Sequence, residues 1–178
     1  DEPAWKIKMP KAPAGAKWAE PPVVVTQLKW RADGLAGIGQ RPLGFTHLFV
    51  IPGTGGAPRQ ITTGNFEHGG DPAWTPDGKS ISLHASRSAD ADHTLYPEDI
   101  WRFPLDGAAP TQLTKINGSE LNPTVSPDGR YIAFTGFADK GNSSHNTNLY
   151  VMNIDGSGLR QLAKELDRNI ITPSWDAS

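Results

Sequence analysis

A nine-residue string repeats at a fixed distance, and that constrains the fold more than any other feature. Asp71-Pro72-Ala73-Trp74-Thr75-Pro76-Asp77-Gly78-Lys79 returns as Asn122-Pro123-Thr124-Val125-Ser126-Pro127-Asp128-Gly129-Arg130, with Asp77 and Asp128 separated by 51 positions. It begins a third time at Thr172-Pro173-Ser174-Trp175-Asp176, where Trp175 lies 50 positions after Val125. A second motif recurs in step. His47-Leu48-Phe49-Val50-Ile51 leads through Gly55-Gly56 to Arg59-Gln60-Ile61-Thr62; Asp99 to Phe103 leads through Asp106-Gly107 to Thr111-Gln112-Leu113-Thr114; Asn148 to Met152 leads through Asp155-Gly156 to Arg160-Gln161-Leu162-Ala163. Gln60, Gln112 and Gln161 are spaced by 52 and 49. Two motifs on one period near 50, with several strands per unit, are the signature of propeller blades.

Each unit reads as four short strands. Pro72–Thr75 is the first, and Pro76-Asp77-Gly78 turns the chain: Pro presets φ, Asp binds local amides, Gly tolerates φ > 0. Ser80–Ser86 is the second strand, with Ile81 and Leu83 alternating against Ser82 and His84; Ile132 and Phe134 match them one unit later. Ile100–Leu105 and Leu149–Ile154 are third strands, and Thr111–Thr114 and Arg160–Ala163 are fourth strands. An earlier unit is assembled from Val23–Arg31, Thr46–Pro52 and Pro58–Thr62. The fold class is therefore all-β, a partial β-propeller of about three four-stranded antiparallel blades. The boundaries are residues 1–70 for an incomplete first blade with a long loop, 71–121 and 122–171 for two blades, and 172–178 for the start of the next. Four prolines between Pro10 and Pro22 make residues 1–22 an extended loop, with a short strand at Trp5–Met9. Insertions at 33–44, 88–97 and 139–147 each join a second strand to a third, so all three should leave one face.

Composition agrees. Gly (19) and Pro (16) together form about a fifth of the 178 residues, against roughly 12% in ordinary domains. Such a density of breakers favours short strands over long helices. With 17 basic and 19 acidic residues, no basic footprint for nucleic acid or a membrane surface stands out. The absence of cysteine excludes disulfides, thiolate metal sites and a Cys nucleophile. No apolar run approaches the ~20 residues of a membrane helix, and Asp1-Glu2-Pro3-Ala4-Trp5 has neither the charged start nor the apolar core of a signal peptide.

At Trp74-Thr75-Pro76-Asp77-Gly78 and Val125-Ser126-Pro127-Asp128-Gly129-Arg130-Tyr131-Ile132-Ala133-Phe134 the sequence resembles the propellers of the Tol-system translocation protein and of bacterial prolyl-oligopeptidase-family serine peptidases. His47 to Pro52, Gly55 to Thr62, and Pro13 to Trp18 resemble acylaminoacyl-peptidase and dipeptidyl-aminopeptidase relatives more narrowly. That resemblance implies a propeller that gates and orients peptide substrates over an α/β-hydrolase domain, which carries the catalytic Ser, Asp and His and is not represented in this sequence. It implies as partners the parent's hydrolase domain and peptide substrates, in a bacterial cytoplasm or periplasm. The alternative is a Tol-type interaction propeller with no enzyme attached. Both ends of the sequence fall inside blades, which suggests a segment of a longer chain, expected to self-associate through the apolar outer faces of its end blades. Ile81, Leu83, Ile132, Phe134, Val23, Val25 and Leu28 supply the apolar positions of those faces.

No catalytic, cofactor or metal residue is assigned from the sequence. A hydrolase needs a nucleophile elbow, G-x-S-x-G, and no serine has Gly on both sides at that spacing; Gly141-Asn142-Ser143-Ser144-His145 comes nearest. Asp90-Ala91-Asp92-His93, with Glu98-Asp99, lacks the Gly and third acid of a calcium loop and reads as a solvated loop. His47, His68, His84, His93 and His145 show no ligand spacing; His47 opens a strand and His84 sits on a strand face opposite Ile81 and Leu83, and these two read as satisfied polar positions. Gly53-Thr54-Gly55-Gly56 joins two strands and is a hairpin turn rather than a phosphate cradle. Trp74, Trp101 and Trp175 recur with the blades and are expected in the core, whereas Trp5, Trp18 and Trp30 could line a surface groove. The structural repeat residues are Trp74, Pro76, Asp77, Gly78, Pro127, Asp128, Gly129 and Trp175.

Overall fold

A computed structural model describes residues 11–16, 31–32, 39–40 and 44–176. The chain divides into two units, Asp1–Gln40 and Arg41–Ser178. In the first, Ala16 N donates to Pro13 O (3.0 Å), and β1 (Arg31–Ala32) pairs antiparallel with β2 (Gly39–Gln40). The expected strand at Trp5–Met9, that at Val23–Arg31 apart from Arg31 itself, and Trp5, Trp18 and Trp30 lie outside the described residues.

The second unit contains one two-stranded and two four-stranded antiparallel sheets. β3 (Phe49–Val50) pairs with β4 (Arg59–Gln60). The next sheet has the order β5 (Glu67–Trp74), β6 (Ser80–Ser86), β7 (Asp99–Pro104), β8 (Thr111–Gln112). The last has the order β9 (Gly118–Val125), β10 (Tyr131–Ala138), β11 (Asn148–Asn153), β12 (Arg160–Leu162). Sequential up-and-down order inside each sheet is blade topology, and the chain is an all-β partial propeller.

The blades stack because each strand presents apolar residues every second position. Ile81, Leu83, Ala85 and Phe103 of one blade pack with Leu48, Val50 and Ile61 around the preceding hairpin. Ile100 and Leu113 reach from the opposite face of that blade to Ile132, Phe134, Tyr150 and Met152 of the next. Backbone contacts continue the stack. Glu120 N donates to Glu98 O (3.0 Å), and Ile170 N donates to Thr147 O (2.9 Å) one repeat later. Residues after β12 thus follow the inner edge of the last sheet, where Trp175 Nε1 donates to Thr124 O (3.1 Å) and its ring stacks on Tyr131.

The two Pro-Asp-Gly turns are atomic copies of one another. Thr75 Oγ1 donates to Asp77 Oδ1 and Ser126 Oγ to Asp128 Oδ1, both at 2.6 Å. Lys79 N and Arg130 N donate to the same carboxylates, both at 3.0 Å. The hydroxyl hydrogen bonds hold both carboxyls below the usual range, Asp128 at about 2. Gly78 and Gly129 have φ of 68° and 72°, the left-handed conformation that favours glycine. At Gly129 a β-carbon would also meet Pro76 Cδ of the preceding blade's turn at 3.4 Å. Gly129→Val is expected to lower stability by about 1 kcal/mol or more. A thermal melt superimposable on the wild type would refute this assignment.

Two sequence expectations change. The first strand of the blade begins earlier than Pro72, at Glu67, and its counterpart in the next blade begins at Gly118. A register shift between Gly69 and Ala73 accommodates Gly70 and Pro72 within β5, and Asn122 takes a left-handed φ of 53° at the matching place in β9. Trp74 is not core: it is 47% exposed. Trp175 finds the Tyr131 ring, whereas Trp74 has no ring partner among the described residues. Trp101 is half-buried, as is Trp175.

Candidate functional site

Polar chemistry concentrates where the start of an inner strand meets the preceding blade. His68 and Glu120 occupy the same repeat position, 52 residues apart, and both are buried. The Thr closing each fourth strand sits beside them. Thr62 Oγ1 accepts from Leu48 N (2.9 Å), and Thr114 Oγ1 accepts from Ile100 N (2.8 Å). Ala163 replaces Thr at the third occurrence and turns away with φ 46°.

At the junction between the two four-stranded blades, Thr114 Oγ1 donates to Glu120 Oε2 at 3.0 Å. Glu120 is fully enclosed, and burial, with Asp99 beside it, pushes its carboxyl up to about 8. Asp99 is also raised by burial, yet it accepts from Gln112 Nε2 (2.8 Å). Burial and the neighbouring acids favour the protonated form of Glu120, the more deeply buried of the two. Glu120 Oε1 is enclosed and has no hydrogen-bond partner among the described residues. Glu98 lies alongside and accepts from Ser119 Oγ at 3.2 Å.

The preceding junction carries a cation. His68 Nδ1 donates to Thr46 O (2.9 Å); a carbonyl can only accept, so the proton is on Nδ1 and Nε2 is a lone pair. Arg87 Nη1 donates to that Nε2 at 2.8 Å. Burial holds His68 below its ordinary value, in keeping with a neutral ring. The guanidinium lies over Phe66 (4.4 Å), Trp101 (5.3 Å) and Phe103 (5.7 Å).

Between the inner strands lies a groove of about 350 Å³ lined by Asp71, Trp74, Asn122, Val125 and Thr172, the recurring inner-edge positions of three successive repeats. Asn122 Nδ2 crosses to Ile171 O at 3.0 Å.

The residues weighed from sequence fall elsewhere. Asp90 and His93 meet each other at 2.6 Å on an exposed loop, away from any third ligand, and among the described residues no three metal-binding side chains converge. His47 is hydrogen-bonded to Thr62, and His84 packs on Gly69 and Gly70 with its Nδ1 unpartnered. His145 stacks on Phe137 at 4.5 Å, with Asp139 Oδ1 at ion-pair distance (3.2 Å) but out of line for a hydrogen bond. Tyr96 meets both rings, so the insertions at 88–97 and 139–147 do emerge together. The insertion at 33–44 lies mostly outside the described residues. Gly53 to Gly56 joins β3 to β4, with Gly55 N donating to Pro52 O (2.8 Å). Ser143 and Ser144 are exposed, and among the described residues no serine is hydrogen-bonded to a histidine. Sequence reasoning missed Glu120 and Arg87. Aligning the repeats outward from Pro-Asp-Gly puts His68 opposite Ser119, one residue short; the equivalence with Glu120 follows only from the strand register, His68 facing Ala85 and Glu120 facing Gly136, and nothing local marks Arg87.

The family model described as the dipeptidyl peptidase IV (DPP IV) N-terminal region matches residues 14–135. An uncharacterized protein of Agrobacterium fabrum is 32% identical over 123 residues, covering 67% of this chain and 36% of its own length. The Tol-Pal system protein TolB of Anaeromyxobacter dehalogenans is 35% identical over 104 residues, 58% of this chain and 21% of its own. A solved structure of a putative TolB from Agrobacterium tumefaciens matches with TM-score 0.54 and 23% identity over 65% of this chain and 40% of that one, a likeness of fold. The chain thus spans about a third of one of these curated relatives and about a fifth of the other.

Proposed function

Because this chain belongs to the family of dipeptidyl peptidase IV N-terminal regions, we propose that it is a non-catalytic propeller segment of a prolyl-oligopeptidase-family serine peptidase. In the parent enzyme it gates and orients peptide substrates over an α/β-hydrolase domain that supplies the Ser, Asp and His. The observation that carries this reading is the family match across residues 14–135. The inner-edge groove, with Asp71, Asn122 and Thr172 presented by successive repeats, gives a peptide polar partners along a common edge. The partners in this reading are the parent's hydrolase domain and its peptide substrates. The reading includes self-association of the isolated segment; Ile81, Leu83, Ile132 and Phe134, expected on its open faces, are buried in the cores between blades, and exposed Leu162, Leu166 and Ile171 provide the apolar surface instead.

The identity to TolB supports a second reading, a Tol-type interaction propeller with no enzyme attached. Activity separates the two. The isolated chain is expected to hydrolyse no dipeptidyl, acyl-peptide or ester substrate, while the full product of its gene hydrolyses peptides in the first reading and none in the second. Turnover by the isolated chain, abolished by a serine-directed inhibitor that labels one of its own serines, would overturn both.

A further inference from the structure

Arg87 is a placed cation without an anion. It follows the last residue of β6, where the insertion at 88–97 leaves the blade. Phe66, Trp101 and Phe103 hold the guanidinium, and His68 fixes one of its N–H groups. His68 is itself locked by Thr46 O, so its acceptor nitrogen cannot turn away without breaking a second bond. Among the described residues no carboxylate pairs with Arg87, and burial lowers its pKa. The indole Nε1 of Trp101, on one of the supporting rings, is enclosed and also lacks an acceptor.

An unpaired guanidinium held in one orientation is a planar fork for a planar anion. A single Arg matches one negative charge, and a carboxylate is the monoanion whose two oxygens fit that fork. We infer that Arg87 anchors a carboxylate carried by a bound peptide, at the face of the blade from which the insertions emerge. The inference rests on the peptide-orienting reading and names the part of the peptide that is held.

The test uses the chain itself, with its tryptophan indole N–H signals resolved by two-dimensional NMR. The probes are N-acetyl-Ala-Ala with a free carboxylate, the same dipeptide as its C-terminal amide, and N-acetyl-glutamic acid amide. The free carboxylate is expected to shift the Trp101 indole signal saturably, with the amide weaker by about tenfold or more. Arg87→Lys keeps the charge but loses the fork and is expected to weaken binding by about tenfold; Arg87→Met is expected to abolish it. Equal shifts with carboxylate and amide, or unchanged binding by Arg87→Met with the wild-type spectrum otherwise retained, would overturn the assignment. Binding of the glutamic acid amide would place acidic side chains among the anchored groups, and its failure would restrict the site to chain termini; either result alongside dipeptide binding supports it. Peptide hydrolysis by the full gene product with no carboxylate binding here would sink this inference alone. Carboxylate binding without peptidase activity in that product would sink the enzymatic reading and leave the site standing.

Discussion

Glu120→Gln is expected to raise the melting temperature by about 5 °C at pH 8 and to leave it nearly unchanged near pH 5. The folded carboxyl titrates at about 8, against an ordinary 4.5. Between those values the folded chain holds a proton that the unfolded chain has released, so stability falls as pH rises through this window. Glutamine keeps an acceptor for Thr114 and can donate to Asp99 without titrating. With solvent screening allowed for, the gain is on the order of 2 kcal/mol at the alkaline end. The groups facing Glu120 are Asp99 and Thr114 of the preceding blade, Glu98 beside them, and Tyr150, whose own pKa burial and Glu120 raise. His68 and His84 act in the opposite direction: burial lowers both, so their contribution is lost as pH falls below about 6.5. Comparing variant with wild type at each pH isolates the Glu120 contribution. A difference in melting temperature that does not vary between pH 5 and 8 would contradict a protonated Glu120 at this junction.

Gly118→Ala is expected to be more damaging, costing about 3 kcal/mol or more and leaving little folded protein at 37 °C. A β-carbon built there would fall inside contact distance of the Phe137 backbone carbonyl, and one on Gly136 would lie 2.5 Å from Ser119 O. Both obstacles are backbone atoms of the β9–β10 ladder, so no rotamer change relieves them. The crossing is tightened further by Asp139 N donating to Asn117 O at 2.6 Å. The strain here is steric, since Gly118 does not take a positive φ. Gly53→Ala is the control: nothing lies near its added carbon, and its effect should stay within about 0.5 kcal/mol. A Gly118→Ala melt within a degree or two of wild type would show that β9 does not cross β10 this closely.

The parts of the fold legible in the sequence are those fixed by local chemistry. Pro76-Asp77-Gly78 and Pro127-Asp128-Gly129 each need only a hydroxyl two residues before the Asp and an amide two residues after, so the repeat announced the turn and its glycine conformation. Ser80–Ser86 kept its predicted bounds because apolar alternation and a clean turn delimit it. The early starts of β5 and β9 were not legible, since Gly69, Gly70 and Pro72 signal a break unless a register shift accommodates them. Trp74 misled because recurrence in sequence does not fix what each ring meets: Trp175 stacks on Tyr131 and is half-buried, while Trp74 is 47% exposed. Arg87 and Glu120 escaped notice because their properties come from residues 6 to 30 positions away: a charged side chain entering a loop and an acid opening a strand look ordinary until blades stack around them.

If these blades serve a peptidase, as proposed, its nucleophile lies outside residues 1–178. The most direct measurement is labelling of the full gene product and of the isolated chain with a fluorophosphonate, followed by peptide mapping of the modified serine. One labelled serine is expected in the full product, outside this sequence and within a G-x-S-x-G motif, and no label on the isolated chain. A label on any serine of the isolated chain, or an unlabelled full product, would contradict it.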